Sequence, residues 1–233
     1  MPRTLRRADL ADAAPVARVA GAAVEAGRGT TPGRFVGLTL PRGSFHFLTG
    51  GPGSGKTTLL RTLALDRRPG AGEVELFGTD PWASTAAQRA RLRRRIGVVE
   101  RPAQLIDRLT VFQNAALPLA LAGESPADRR ADVTEMLTWL GLGAVADRPA
   151  GTLDAAGRQA LAVARALAPR PELILMDEPL LDLAPDLAER ILTLLAALGG
   201  GQAAVVLAGR DPARARKAGA RVLTLTRPDG EAR

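Results

Sequence analysis

The sequence predicts an α/β fold with a mostly parallel sheet core, an antiparallel β part and an inserted helical subdomain. Three observations predict it. A glycine-rich loop at residues 50–57 lies between a short apolar run and an amphipathic stretch. Strand-like and helix-like segments alternate over most of the chain, which is typical of a parallel sheet. Residues 110–168 are mostly helical in pattern instead, which indicates a helical insertion between two strands.

The loop reads Gly-Gly-Pro-Gly-Ser-Gly-Lys-Thr and matches the pattern G-x-x-x-x-G-K-[ST] of a phosphate-binding loop. Glycines let the backbone surround phosphates with its N–H groups, and the helix that follows favours an anion at its N-terminus. Lys56 is predicted to contact the β- and γ-phosphates, and the Thr57 hydroxyl to ligate Mg²⁺. The other predicted nucleotide-binding residues of this segment are Gly50, Gly51, Pro52, Gly53, Ser54, Gly55 and Thr58. The loop therefore predicts a P-loop NTPase fold.

A second motif follows the aliphatic run at residues 173–176, which ends in Asp177 and Glu178. An aliphatic strand that ends in two acids is typical of the metal-binding strand of such NTPases. Asp177 is predicted to hold Mg²⁺ through water, and Glu178 to polarise the attacking water. The sequence contains no Asn-Lys-x-Asp guanine reader, which argues against a GTPase.

The composition excludes several classes of site and leaves the meaning of the charge open. Cysteine is absent and His46 is the single histidine, so disulfides, thiolate metal sites and histidine clusters are excluded. We expect no membrane span and no secretory signal, because no long apolar run is present. The formal charge of +8 suits either nucleic acid or the anionic inner leaflet of a membrane. A cluster of arginines at residues 89–95 is interpreted as a solvated helix face.

The order of elements predicts a short tail followed by one domain. We expect a weakly ordered tail over residues 1–15 and a nucleotide-binding domain over 16–233. Its helical subdomain is predicted to span about residues 102–158, with breaks at several prolines and glycines that include Pro118.

The order of the two motifs resembles an ABC-type ATPase subunit. More narrowly, residues 40–50, 72–78, 93–99 and 109–119 resemble the FtsE family of cell-division ATP-binding proteins, and the resemblance covers about residues 16–226. It implies an ABC-type nucleotide-binding domain, ATP and Mg²⁺ as ligands, and no nucleic acid. It also implies an FtsX-like integral membrane partner, and a homodimer or a heterodimer with another ABC subunit. The implied location is cytoplasmic and peripheral on the inner face of the plasma membrane. The alternatives are a weakly active or inactive ATP-binding scaffold, and the ATPase subunit of a lipoprotein-release or export transporter.

Several positions depart from the family pattern. The signature segment, which the family uses to contact the ATP of the opposite subunit, reads Leu-Asp-Ala-Ala-Gly here and places Asp154 at that contact. Arg101 stands at the Q-loop position, where the family has glutamine, and Arg210 at the switch position, where it has histidine. The aromatic residue expected to stack on adenine aligns with Ala26, and an expected aspartate with Ala184. Together the departures predict a subunit that keeps its nucleotide contacts but hydrolyses ATP poorly, unless Arg210 supplies positive charge to the transition state as an arginine finger does.

The helical block around residues 105–145 is the predicted contact with the membrane partner, because the resemblance implies that this block receives a short helix from it. Its early part carries more apolar side chains than a small helical unit easily buries, which favours an exposed apolar surface. These residues are Leu105, Ile106, Val111, Phe112, Leu117 and Leu119. The alternative is that all of them belong to the core.

Overall fold

The computed structural model describes residues 14–24, 33–34, 37–124 and 130–225, without the side chains of residues 23–24 and 33–34. The predicted tail over residues 1–15 lies almost wholly outside the described residues. The position predicted to face adenine, Ala26, lies outside them too. The proposed limits of the helical subdomain, about residues 102–158, stay a prediction.

The described elements alternate as the sequence pattern predicts. The strands are β1 (Ala17–Ala20), β2 (Ala23–Val24), β3 (Gly33–Arg34), β4 (Leu38–Leu40), β5 (Ser44–Thr49), β6 (Glu73–Leu76), β7 (Ile96–Val99), β8 (Leu173–Asp177), β9 (Ala204–Ala208) and β10 (Arg221–Thr224). The α-helices are α1 (Lys56–Leu63), α2 (Ala86–Arg93), α3 (Val111–Leu121), α4 (Arg130–Trp139), α5 (Ala155–Leu167), α6 (Pro185–Gly200) and α7 (Pro212–Lys217). Short 3₁₀ turns at Gly143–Val145 and Ala150–Thr152 connect α4 to α5.

The main sheet brings the two sequence motifs to one edge. In the described part of the chain it has five parallel strands in the order β10-β5-β9-β8-β7. Leu48 of β5 and Asp177 of β8 both pair with Ala208 of the strand between them, so the two strands end at the same level. Because parallel strands end at a common edge, the loop after β5 and the acids that end β8 face the same crevice.

A smaller antiparallel sheet, in the order β4-β1-β6, covers one face of the main sheet. Side chains of β5 contribute to two different hydrophobic clusters, one on each face of the main sheet. Phe45 and Phe47 belong to the cluster that includes α3, α5 and α6, whereas Leu48 belongs to the cluster beneath the antiparallel sheet and α1. The fold therefore has the mixed architecture that the sequence predicts, with a parallel core and an antiparallel β part.

The first helix of the helical block departs from the prediction at Pro118, which lies inside α3 instead of breaking it. The helix is fixed at its start, where the Thr110 and Gln113 side chains form a capping box. It is also fixed along its length, because Val111 and Leu119 are almost completely buried. This packing offsets the hydrogen bond that proline cannot donate.

The arginine cluster at residues 89–95 is only partly a solvated helix face, which corrects that interpretation. Arg93 pairs with Asp66, and Arg95 pairs with Glu172 at 2.6 Å while it stacks 3.7 Å from the Phe77 ring centroid. Two of the five arginines are thus paired with acids: Arg93 at the end of α2 and Arg95 just after it. Among the described residues, no helix has the length and the apolar character needed to cross a membrane.

Candidate functional site

The phosphate-binding loop leaves β5 and enters α1 at Lys56. Gly53 and Gly55 have φ values of +72° and +92°, which L residues with a Cβ rarely adopt. At Gly50 a Cβ would lie 2.4 Å from the Leu225 carbonyl oxygen, so the loop accepts only glycine there without a backbone shift. The ammonium of Lys56 donates to the carbonyl oxygen of Gly50 at 2.7 Å and lies within the loop. The geometry is that of a cradle with one cation at its centre.

The remaining loop residues divide by exposure. Gly51, Pro52 and Gly53 are exposed at the crest of the loop, and Ser54, Gly55 and Thr58 are half-buried where it joins the helix. The Gly51 carbonyl also accepts from Lys56, at 3.2 Å. The crest is therefore open to a ligand from solvent.

Thr57 and Asp177 are the two predicted metal ligands, and the structure brings them into contact. The Thr57 hydroxyl donates to Oδ2 of Asp177 at 2.6 Å. A hydroxyl and a carboxylate oxygen are hard donors of the kind that Mg²⁺ prefers, and Mg²⁺ usually takes only one or two protein ligands beside water and phosphate. The donor set therefore fits Mg²⁺.

Glu178 follows Asp177 in an unusual backbone conformation, with a φ of +46°. A non-glycine residue in this region costs about 1–3 kcal/mol and is found where surrounding contacts impose it. The Glu178 amide donates to the Ala208 carbonyl at 2.9 Å, and its side chain is only 17% exposed. The turn after β8 thus fixes the direction in which this carboxylate points.

Both oxygens of the Glu178 carboxylate are held by arginines. Arg101 Nη1 donates to Oε2 at 2.6 Å, and Arg210 Nε donates to Oε1 at 2.8 Å. Asp182 lies 3.8 Å from the Arg101 guanidinium as a second, weaker partner. Desolvation raises the pKa of Glu178, but the hydrogen bonds and charges of Arg210 and Arg101 exceed it and hold the pKa below its usual value. We call these three residues, Arg101, Glu178 and Arg210, the arginine clamp.

The clamp is the part of the site that sequence reasoning missed. Arg101 and Arg210 were predicted as separate losses of a glutamine and a histidine, and the structure places both on one carboxylate. The only sequence signal for this contact is that two positions, which are neutral in the family pattern, both carry a cation here. Asp182 lies in the loop between β8 and α6, and its position near Arg101 was not predicted from the sequence.

Asp154 caps the helix α5. Its carboxylate accepts the Gly157 amide at 2.7 Å, and the residue is exposed. Ala155 and Ala156 form the first turn behind it. Among the described residues no hydrogen bond or ion pair is seen between Asp154 and the phosphate loop. The cap occupies one of the free amides that a helix N-terminus offers to an anion, and adds a negative charge there.

A parallel sheet whose phosphate loop, Thr57–Asp177 pair and acidic strand end meet at one edge defines a P-loop nucleotide-binding domain. The profile of the family described as ABC transporter matches residues 34–181. The chain therefore belongs to the ABC transporter family, and its fold is that family's ATP-binding domain.

Known proteins resemble the chain at the level of sequence and of fold. The methionine import ATP-binding protein MetN 1 of Burkholderia orbicola is 40% identical over 160 residues, which are 69% of this chain and 46% of that protein. The chain thus aligns with about half the length of the curated relatives it matches. The dimeric post-hydrolysis structure of the ATP-binding cassette MJ0796, bound to ADP and Pi, superposes with a TM-score of 0.81 at 29% identity over 90% of this chain and 94% of that one. The structure of cbiO1 from Clostridium perfringens has a TM-score of 0.74 at 21% identity, covers 91% and 85% of the two chains, and shows the fold alone.

Proposed function

We propose that the chain is the ATP-binding subunit of a membrane-associated ABC complex, placed on the inner face of the membrane, and that it acts by binding ATP with very slow turnover. One observation carries the proposal. The Thr57 hydroxyl and the Asp177 carboxylate, 2.6 Å apart, offer the oxygen donors that a metal ion bound to phosphate requires. The adjacent Glu178, in contrast, has both carboxylate oxygens paired with arginines.

Binding is assigned to the loop and the metal pair. Lys56 is the cation that meets the β- and γ-phosphates, and the glycines at 50, 53 and 55 allow close approach of the backbone. Thr57 and Asp177 would hold Mg²⁺, which would neutralise charge on the phosphates when bound. The sequence places Ala26 where the resemblance implies an aromatic stack on adenine. We therefore expect a modest affinity, since such stacking contributes about 1–3 kcal/mol per base.

Slow turnover follows from the state of Glu178. A general base must accept a proton from water, and its strength falls as its pKa falls. The arginine clamp lowers the pKa of Glu178 and occupies the oxygens that water would need. A water molecule can be activated there only after a guanidinium has moved away.

The signature segment adds a second obstacle, which acts between subunits. In the family, ATP is enclosed between two copies, and the signature helix of one copy faces the γ-phosphate of the other. Asp154 would place a carboxylate at that contact, and two unit charges about 4 Å apart repel by roughly 4 kcal/mol at an effective dielectric of 20. We propose that the chain closes weakly as a homodimer and that a heterodimer with another ABC subunit relieves this repulsion at one of the two sites.

The proposed contact with the membrane partner stays within the predicted helical block and is narrowed to the end of α3, where the predicted residue Leu117 lines a groove. Val111 and Leu119 are interior residues, and Phe112 is half-buried with the Arg130 guanidinium 4.9 Å from its ring centroid. By contrast, Leu121 at the end of α3 is 71% exposed. It borders a groove formed by α2, β7, α3 and α5, which we propose as the surface for a helix of the membrane partner.

The identity of the membrane partner would distinguish a cell-division complex from a methionine import complex. The resemblance to FtsE implies an FtsX-like protein in cell division, whereas the Burkholderia orbicola relative named above is a methionine import ATP-binding protein. Since the chain aligns with only 46% of that relative, we keep cell division as the proposed role and methionine import as its competitor. Purification of the tagged chain from its native membrane, with the co-purified membrane protein identified by mass spectrometry, decides between them.

The core of the proposal is tested by calorimetry with MgATP together with phosphate release. The native chain should bind ATP and release phosphate far more slowly than ABC ATPases do. Lys56→Ala removes the charge that meets the phosphates and should weaken binding of ATP and ADP by more than about tenfold. Equal affinity of the variant and the parent, or rapid phosphate release by the parent, would contradict the proposal.

A further inference from the structure

The exposed side of α2 carries positive charge with no acidic residue to balance it. Residues 81–99 contain five arginines and no aspartate or glutamate. Arg91 and Arg94 are three positions apart, so they lie on the same side of the helix, whereas Leu92 packs into the core. We call this exposed side, to which Ala90 also belongs, the arginine face of α2.

The other three arginines of this segment are held by the protein itself. Arg89 donates from Nε to a backbone carbonyl at 3.0 Å, and Arg93 and Arg95 pair with acids. By contrast, Arg91 and Arg94 are exposed, and within the described part of the chain their guanidiniums make no ion pair or hydrogen bond. Their charges are therefore available to an anionic partner.

The arginine face borders the groove that we propose for a helix of the membrane partner. Ala90 and Arg94 of α2 line that groove together with Leu121 of α3. The described residues that line it include three arginines and no acid. Arg91 is not among them, so a helix seated in the groove leaves this arginine uncovered. A membrane protein in the groove would bring the uncovered arginine towards the bilayer, whose surface charge acts over a Debye length of about 8 Å at physiological salt.

We propose that the arginine face of α2 binds anionic lipid headgroups directly, without help from the membrane partner. The inference rests on the proposed location at the inner face of the membrane and deepens it, because it names the surface of the chain that contacts lipid. Guanidinium donates two parallel hydrogen bonds to a phosphate, and each arginine near an anionic surface strengthens binding by about fivefold. Two arginines give a weak and reversible attachment, which orients a subunit whose stable attachment comes from a protein partner.

The chain offers a matched control on the far side of the main sheet. Arg216 and Lys217 of α7 are exposed, and within the described part of the chain their side chains make no ion pair. The helix α7 leads into β10 and α2 leads into β7, and these are the two outermost strands of the sheet. Removal of the two charges of α7 therefore lowers the net charge by the same amount and leaves the arginine face intact.

The test measures sedimentation of the full chain with lipid vesicles, in the absence of any membrane partner. Vesicles of phosphatidylcholine and phosphatidylglycerol should bind the parent, and vesicles of phosphatidylcholine alone should not. Arg91→Gln/Arg94→Gln should weaken binding by about twenty- to thirtyfold, whereas Arg91→Lys/Arg94→Lys keeps the charges and should bind like the parent. Arg216→Gln/Lys217→Gln should stay within about twofold of the parent, because its charges lie far from the lipid.

The outcomes separate this inference from the function on which it rests. Absence of binding to anionic vesicles, equal binding to neutral ones, or an equal loss in the two glutamine variants overturns the inference. Displacement of the parent from vesicles by duplex DNA at a matched phosphate concentration overturns it too, because the face would then prefer nucleic acid. Calorimetry with MgATP on the same proteins is the second readout. A parent that does not bind ATP overturns the proposed function, whereas failure of vesicle binding with ATP binding intact overturns the inference alone.

The calorimetry also shows whether the variants are folded. If Arg91→Gln/Arg94→Gln loses ATP binding, the two substitutions are tested singly. A single variant that binds ATP and keeps the full parental affinity for anionic vesicles would equally overturn the inference.

Discussion

The Thr57 hydroxyl donates to the Asp177 carboxylate at 2.6 Å although 120 residues separate the two in the chain. The contact exists because β5 and β8 both flank β9 and end at the same level. The hydrogen bond joins the start of α1 to the end of β8. It therefore couples the position of the phosphate loop to that of Asp177, the residue before Glu178. The pair is therefore both the metal-ligand candidate and the mechanical link between the two motifs.

Thr57→Val should remove most of the benefit that Mg²⁺ gives to ATP binding, because the methyl group cannot ligate the cation. We expect the affinity for ATP in Mg²⁺ to fall to about that measured in EDTA. Thr62→Val is the matched control, since that hydroxyl donates to the Thr58 carbonyl within α1 and faces the core. The measurement is ATP titration with and without Mg²⁺. Equal Mg²⁺ dependence of Thr57→Val and the parent would show that Thr57 is not a ligand.

Restoration of the family signature should strengthen ATP-dependent dimerisation. In Asp154→Ser/Ala155→Gly/Ala156→Gly the serine still caps α5, while the negative charge and two methyl groups are gone. Each glycine costs the helix up to about 1 kcal/mol, so the variant should be less stable than the parent in urea. Sedimentation with ATP measures the dimer, and Asp154→Ser alone separates charge from backbone access.

Hydrolysis should respond to that restoration only when the clamp is removed as well. The signature variant with Arg101→Gln and Arg210→His should release phosphate faster than either set of changes alone, since Glu178 is then free to act as a base. A parent chain that already dimerises with ATP and turns it over at a normal rate would contradict the interpretation of all three positions.

Leu121→Asp should prevent co-purification of the membrane partner and leave ATP binding unchanged. The residue is 71% exposed, so the charge faces solvent in the free chain and meets an apolar partner surface in the complex. Leu181→Asp is the control, because Leu181 is 51% exposed but lies in the loop after Glu178, away from this groove. Phe112→Asp, by contrast, should also reduce stability, since Phe112 packs against the core. Retention of the partner by Leu121→Asp would place the contact elsewhere.

His46→Leu should make the fold more resistant to acid. Burial, with a smaller contribution from the Arg221 charge, lowers the pKa of His46 to about 4, and its Nδ1 atom has no hydrogen-bond partner. The unfolded chain takes up the proton near pH 6.5 but the folded chain does not, so stability is lost as the pH falls from 6.5 towards 4. The free energy of unfolding of the parent, relative to the variant, should fall by about 2–3 kcal/mol between pH 7 and 4.5. Urea titrations at both values measure it, and a constant difference would refute the assignment.

The sequence predicts the fold well because its strongest patterns are local. The phosphate loop dictates a strand before it and a helix after it, and β5 and α1 follow accordingly. The aliphatic run before Asp177 likewise becomes a buried strand. The predicted helix break at Pro118 is wrong because packing against residues distant in the sequence offsets the local cost of proline in a helix. A short stretch of sequence does not reveal that packing.

The site was predictable residue by residue but not as a set of contacts. Thr57 and Asp177 are in contact, as the order of the motifs indicates, and Lys56 lies within the phosphate loop. The pairing of Arg101 and Arg210 with one carboxylate depends on three loops that converge only in the folded chain. Likewise, the burial of Val111 and the exposure of Leu121 depend on which face of α3 meets α5, which the even distribution of apolar residues along that helix does not reveal.

The pairing of both Glu178 oxygens also has a consequence for the effect of single substitutions. Each carboxylate oxygen has its own guanidinium, so replacement of either arginine alone leaves the other in place. A single substitution therefore leaves one oxygen of Glu178 paired, and we expect either single variant to resemble the parent in hydrolysis. The two contacts are redundant, so the carboxylate stays occupied when either arginine is lost.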